Sequence, residues 1–224
     1  MNPSTESPQQ GLRERKKERT RQLIAETARR LFLERGFDAV TVAEVAREAE
    51  VAEKTVFNYF PTKEDLFYSR LEAFEEELLE AIRLREPGEP ILPAFGRFLL
   101  KERGVLARSG ADGDDDATRQ MLAITRVITE SPALLARERQ VFARYTDSLA
   151  ELIAEETGAA ADALEPRVVA STLIGVHRAL IDHVRRRTLA GARVREVSRE
   201  VRAEGKRALA LLERGLGDYG IKRS

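Results

Sequence analysis

The chain contains no cysteine. That excludes disulfides and thiolate chemistry and suits a reducing cytosol, so a cytoplasmic protein is expected. Nowhere do apolar residues run for the roughly 18 positions that a membrane span needs. The N-terminus also lacks the apolar core of a secretion signal, and no membrane partner is expected. Convincing strand patterns are missing, as is any internal repeat. There is no glycine-rich phosphate loop and no G-x-S-x-G elbow, so nothing assembles a catalytic set, and a non-enzymatic chain without cofactor is expected. Histidine is scarce, His177 and His183 being the only two. Six positions apart on one helix, they face different ways, and no metal site is expected. An excess of either charge is absent too. The 38 basic and 38 acidic residues cancel, so net charge does not advertise nucleic acid.

What is present is a placement of charge and a helical period. Residues 13–35 hold nine basic and four acidic side chains, a local net of +5 at one end of a neutral chain. The basic cluster at residues 13–21 reads either as a solvated helix end or as a contact to phosphates or a minor groove. With 224 residues and 42% hydrophobic content, the chain suffices for one large domain or two small ones. Residues 1–12 are polar and read as a disordered tail. From Arg13 onward Leu23, Ile24, Ala28, Leu31 and Phe32 form one apolar stripe, which Gly36 ends. Thr41-Val42-Ala43-Glu44 is a capping box, with Val40 and Val45 spaced as its hydrophobic staple. Short helices follow at about 42–49 and 52–59. Pro61 breaks the chain, and Thr62-x-x-Asp65 opens a long helix carrying Leu66, Leu71, Phe74, Leu78 and Ile82. Further helices are expected at about 92–107, 117–129, 132–156, 165–187 and 193–216, giving an all-α fold of about nine helices. Ser131-Pro132 opens the third of these, Gly158 closes it, and Asp162-x-x-Glu165 opens the fourth. Residues 109–116 form an acidic loop. Asp112, Asp114 and Asp116 have the spacing that begins a calcium loop, but Ala117 and Ala123 stand where it needs glycine and glutamate. The organisation read from this is a tail at 1–12, a first domain at 13–67 and a second at 68–224.

The paired short helices have the size of a helix-turn-helix. Val42, Val45, Ala46, Ala49 and Val51 fill the first helix and the turn, and Val56 with Phe60 packs the second helix on the first. Glu53, Lys54, Thr55, Phe57, Asn58 and Tyr59 remain on the other face, suited to a groove. Folding alone explains the caps and apolar positions as a generic hairpin, but it leaves Asn58, Tyr59 and Lys63 without a role.

This stretch resembles the DNA-binding signature of TetR/AcrR regulators from about residue 19 to residue 71. The aromatic run Phe57-Asn58-Tyr59-Phe60, followed by Lys63-Glu64, carries most of the likeness. The resemblance implies a homodimer with one recognition helix per subunit in the major groove of a double-stranded operator. It implies Lys54 and Thr55 at base edges or adjacent phosphates, Phe57, Asn58 and Tyr59 on phosphates and thymine methyls, and Lys63 on a phosphate. Thr41 and Val42 would offer a hydroxyl and an amide to another phosphate. Glu53 either accepts from a cytosine amine or merely favours the helix N-terminus. One position departs from the pattern, Glu50 standing where the turn usually has glycine.

The resemblance also implies a C-terminal domain that dimerises and binds a small-molecule effector. The stripes Val169, Leu173, Val176, Leu180, Val184 and Val197, Val201, Ala208, Leu211, Leu212 serve a dimer interface, an internal core, or both. Candidate effector contacts are Phe95, Phe98, Met121, Leu122, Thr125, Phe142, Tyr145, Thr172, Val176 and His177, residue types that more often serve as plain core. Arg126 and Arg144 either reach an anionic ligand or lie exposed. The function implied is a ligand-released repressor. The rivals are an activator or global regulator without ligand, and a helical scaffold or enzyme without DNA affinity.

Overall fold

The computed structural model describes residues 8–101, 114–160 and 162–216. Among these residues there are nine α-helices and no strand, as the helical period requires. They are α1 (Pro8–Arg35), α2 (Val42–Glu48), α3 (Glu53–Tyr59), α4 (Lys63–Arg83), α5 (Ile91–Leu100), α6 (Asp114–Glu130), α7 (Pro132–Thr157), α8 (Leu164–Leu189) and α9 (Val194–Leu216). The chain divides into two compact units, Met1–Arg70 and Leu71–Ser224.

The first unit is organised by α1. Ile24, Ala28, Leu31 and Phe32 are buried along one stripe, and Phe37, Val40, Val45, Val56, Phe60 and Leu66 close over it. The Phe32 ring lies 5.0 Å from Phe37 and 6.2 Å from Phe67, centroid to centroid. Gly36 ends α1 at φ +84°, a left-handed conformation that glycine adopts without steric cost. Two expectations need correction. Leu23 is 49% exposed, because one residue is a 100° rotation and carries it off the Ile24 stripe. Helix α1 also starts at Pro8, inside the stretch 1–12 expected as a tail, of which residues 1–7 lie outside those described. Proline is well placed in a first helical turn, and the glutamines, arginines and lysines that follow are good helix formers.

In the second unit α8 packs against α5, α6, α7 and α9. Its core includes Leu78 and Ile82 of α4, Phe95 of α5, Tyr145, Leu149 and Ile153 of α7, Leu173 and Ile174 of α8, and Val197 and Val201 of α9. Each such side chain contributes about 1.5–3 kcal/mol by leaving water. Val176, Val184 and Leu212 are only partly buried, and Leu211 is 63% exposed. Polar ties fix the helices in register. Arg185 of α8 pairs with Glu138 of α7, and Arg187 donates to Glu200 at 2.7 Å and to Glu196 at 2.6 Å on α9. Arg85, buried, turns back to donate to the Ile82 carbonyl at 2.8 Å and satisfies the end of α4.

Local start and stop signals act where side chains reach the backbone. Ser131 accepts from the Leu134 amide at 3.4 Å ahead of Pro132, and Gly158 closes α7 at φ +66°. Asp162 does not cap α8. That helix starts at Leu164 behind Ala163, with no side-chain cap bond. The acidic stretch expected as a loop is helical from Asp114 onward, where carboxylates at a helix N-terminus are favoured. Helix α5 ends at Leu100 instead of continuing to residue 107, and residues 102–113 lie outside those described.

Candidate nucleic-acid interface and effector site

The interface begins with a capping box. The Thr41 amide donates to Glu44 Oε2 at 2.8 Å, and the Glu44 amide donates to Thr41 Oγ1 at 3.2 Å. Arg35 adds a charged bond to Glu44 Oε1 at 2.8 Å. These donors, the Thr41 amide first, hold the Glu44 carboxyl down to about 2. Val40 and Val45 are fully buried on either side of the cap, completing the staple. The Thr41 hydroxyl donates to the same carboxylate at 2.9 Å, so its hydrogen is committed within the box. Val42 is half-buried.

The turn from α2 to α3 is a Schellman motif. The Val51 amide reaches the Ala46 carbonyl at 2.9 Å, and the Glu50 amide reaches Arg47 at 3.2 Å. Glu50 takes the left-handed position at φ +54°. The turn thus keeps the shape a glycine would give it, with a side chain in place.

Helix α3 is then held by Val56 and Phe60, both buried. Seven residues leave little else to bury. Glu53, Lys54, Phe57 and Asn58 form an exposed face of two adjacent i,i+4 rows, with Phe57 43% exposed. Thr55 and Tyr59 are half-buried at its margin. Tyr59 is less open than the sequence suggested, because it lies three residues from Val56, on the side that packs.

A second box opens α4. The Thr62 amide and hydroxyl donate to Asp65 Oδ2 at 3.0 and 2.8 Å, and the Asp65 amide donates to Thr62 Oγ1 at 3.2 Å. Lys63 stands in this first turn. Its Nζ lies 4.2 Å from the Phe37 ring centroid and 5.8 Å from that of Phe32. Partial burial lowers the ammonium from its usual range. Lys63 is therefore half-buried on aromatic faces, which fixes its position. Of the cations on α1, Arg30 pairs with Glu48 at 2.7 Å and Arg35 with Glu44, tying α1 to α2. The Arg21 guanidinium lies 5.3 Å from the Phe60 ring centroid, and Arg13, Arg15, Lys16, Lys17 and Arg19 are exposed.

In the Leu71–Ser224 unit, four of the effector candidates come together around one ring absent from that set. Phe74 of α4 stacks on His177 at 4.6 Å and 21°, lies near-parallel to Tyr145 at 5.9 Å and 25°, and meets Phe98 at 5.1 Å. Phe142 contributes its edge to His177 at 5.6 Å. The signal for Phe74 was its place in the α4 stripe, which marks burial without marking neighbours. His177 is 3% exposed, burial lowers its pKa to about 4, and its Nδ1 has no hydrogen-bond partner. Phe95 and Thr125 are buried, and Met121, Leu122, Thr172 and Val176 are half-buried. The Thr172 hydroxyl donates to the Val168 carbonyl at 2.8 Å. Arg144 is engaged with Glu75 at 2.8 Å, and Arg126 is exposed. An open groove of about 290 Å³ lies elsewhere, between α5 and α9, lined by residues such as Leu92, Arg97, Lys206 and Leu209; it includes none of the candidates.

A helix-turn-helix with an exposed second-helix face, joined to a larger helical unit, defines a DNA-binding transcriptional regulator. Residues 24–69 match the model of the bacterial regulatory proteins of the tetR family, and residues 104–216 match that of the MftR C-terminal domain. The chain belongs to the TetR family. It is 31% identical over 179 residues to the HTH-type transcriptional regulator TcmR of Streptomyces glaucescens, covering 79% of this chain and 78% of TcmR. Among solved structures, NalD of Pseudomonas aeruginosa, described as the secondary repressor of the MexAB-OprM multidrug efflux pump, superposes with a TM-score of 0.50 at 20% identity. That match covers 85% of this chain and 97% of NalD. FadR of Bacillus subtilis, solved with stearoyl-CoA, gives 0.50 at 20% identity over 88% of this chain and 98% of FadR. These two likenesses show the fold.

Proposed function

We propose that the protein is a repressor that binds a palindromic operator as a homodimer and is released by a small-molecule effector. The observation that carries this is the face of α3. Glu53, Lys54, Phe57 and Asn58 are exposed on a helix whose packing Val56 and Phe60 already supply. A recognition helix uses such a face on base edges, with Thr55 and Tyr59 at its margin and Lys63 and the residue 41–42 turn at phosphates. Lys63 suits that role because the Phe37 ring pre-positions its charge.

Dimerisation is supported by apolar surface on the late helices. Leu164 is 69% and Val168 48% exposed on α8, and Leu211 is 63% exposed on α9, an arrangement that a second copy would cover. Two recognition helices would then meet half-sites one helical turn apart, roughly 34–36 Å, or a multiple of it. The effector reading is supported by the aromatic cluster at His177, and by NalD being a repressor and FadR holding an acyl-CoA.

Selection from random duplexes tests the reading. A two-fold symmetric site should emerge, bound by a dimer, with affinity falling steeply as salt rises. Lys63→Ala should weaken binding to every sequence and lower the salt slope by about one. Recovery of no preferred duplex, or a species that stays monomeric, would overturn it.

A further inference from the structure

We propose that the effector is a neutral, flat aromatic compound bearing a hydroxyl group. Its ring takes the place of Phe74 against His177 and Tyr145, and its hydroxyl bonds to His177 Nδ1. This rests on the ligand-responsive reading above and names the class of ligand.

The first ground is an unpaired atom. His177 is 3% exposed, yet its Nδ1 has no partner, an arrangement that native interiors seldom keep without use. The second is the shape of what surrounds it. Phe74 lies within 21° of parallel to His177 and 25° of Tyr145, so the position it fills is a slot for a flat ring. Phe98 and Phe142 meet these rings at steep angles, 61° for Phe98 on Phe74 and 87° for Phe142 on His177. Offset and edge-to-face contacts of this kind are the ones aromatic ligands form.

The third ground is the chemistry of the unpaired nitrogen. A neutral imidazole has one N–H and one lone pair, and burial keeps His177 neutral. A hydroxyl donates and accepts, so it answers either tautomer. A carboxylate only accepts, so it answers one tautomer alone, and it would carry its charge in among aromatic rings, where desolvation is costly, while Arg178, the cation at this cluster, lies against the Phe142 ring. Phe74 is the residue to be displaced because it alone stacks on both His177 and Tyr145 among the described rings. It is carried by α4, the helix that Lys63 opens, so a ligand in its place acts on that helix.

Calorimetric titration of the full chain with 4-ethylphenol, ethylbenzene and decanoate tests the proposal. The phenol should bind about tenfold more tightly than ethylbenzene, and decanoate should not bind at this site. His177→Leu should abolish the preference for the phenol. Phe74→Ala should tighten both aromatic probes by tenfold or more, because no ring need then be displaced. Phe74→Leu, milder for folding, should tighten them in the same order. Equal binding of the two aromatics, a preference that survives His177→Leu, or no tightening in either Phe74 variant would overturn it. Operator binding separates this from the broader reading. If the phenol shows the full pattern but leaves operator affinity unchanged, the site stands and release by ligand fails. If decanoate releases the operator while neither aromatic binds, the repressor reading stands and the aromatic class is wrong.

Discussion

On α3 of the Met1–Arg70 unit, the ring least needed for packing, Phe57, stands 43% exposed. In the Leu71–Ser224 unit, the polar atom least served by packing, His177 Nδ1, is sealed among aromatic rings. One unit thus carries its unspent chemistry outside and the other inside. An exposed apolar ring costs little and waits for a surface. A buried unpaired nitrogen costs more, and the proposed ligand would supply its partner. The difference teaches where to look for function in each. Mutation on the exposed face of α3 should separate binding from folding, whereas around His177 the two are entangled.

The largest effect expected lies in the core of the first unit. Phe32 has no exposed surface and touches Phe37 and Phe67. Phe32→Ala should cost about 3–5 kcal/mol and remove DNA binding together with the fold. Chemical denaturation followed by helix content checks it. A variant that still folds at full stability would mean that this core tolerates a cavity.

Next comes a pH effect confined to the second unit. His177 is neutral when folded down to about pH 4, but titrates near 6.5 when unfolded. The unfolded chain therefore takes up the proton first as pH falls. The His177 contribution to stability should decline from about pH 6.5 to pH 4 by roughly 3 kcal/mol and stay level below. His177→Leu should remove that slope. Glu44, in the first unit, acts in the same sense but in a lower pH window. Its folded carboxyl lies at about 2, so its capping contribution is present above pH 4.5 and is lost only as pH falls toward 2. Denaturation of wild type and His177→Leu across pH 7 to 3 tests the contrast, and parallel curves would sink it.

The boundary between what the sequence made legible and what it hid follows the same physics. Capping boxes at Thr41 and Thr62, the Val40–Val45 staple and the Gly36 and Gly158 stops are local, since each needs only a side chain within reach of its own backbone. Leu23, Asp162 and Phe74 are not local. Leu23 sits one rotation off a stripe whose width depends on what packs over it. Asp162 has the right spacing, but the chain enters α8 through Ala163. Phe74 has the period of a core residue, and only the meeting of α4, α7 and α8 shows that its neighbour is an unpaired histidine. The exposed row of α3 was readable because folding left those residues no task, whereas the effector candidates all had one.

A middle-sized effect tests the outside face directly. Phe57→Ala should lower affinity for the selected duplex by about 1–3 kcal/mol while the melting temperature stays put, as surface substitutions usually leave it. Melting and titration of one sample decide it. A fall in melting temperature with unchanged affinity would turn Phe57 into a packing residue and erase the contrast with His177.

The smallest effect sits in the turn that aims α3. Glu50 holds φ +54° with a Cβ that crowds the following carbonyl, a cost of about 1–2 kcal/mol. Gly36, at φ +84°, meets the same kind of demand with the residue that feels none of it. Glu50→Gly should relieve the crowding but give back roughly 0.5–1 kcal/mol through the greater freedom of glycine when unfolded. The net expectation is a gain of about 0.5–1 kcal/mol in unfolding free energy, with DNA affinity unchanged because the turn keeps its shape. Glu50→Ala retains the Cβ and should gain nothing, and Glu50→Asn should fall between the two, since asparagine tolerates left-handed backbone better than most residues. A loss of stability in Glu50→Gly would show that the Glu50 side chain supports the turn by more than its strain costs, and the Schellman bonds alone would no longer account for how α3 is presented.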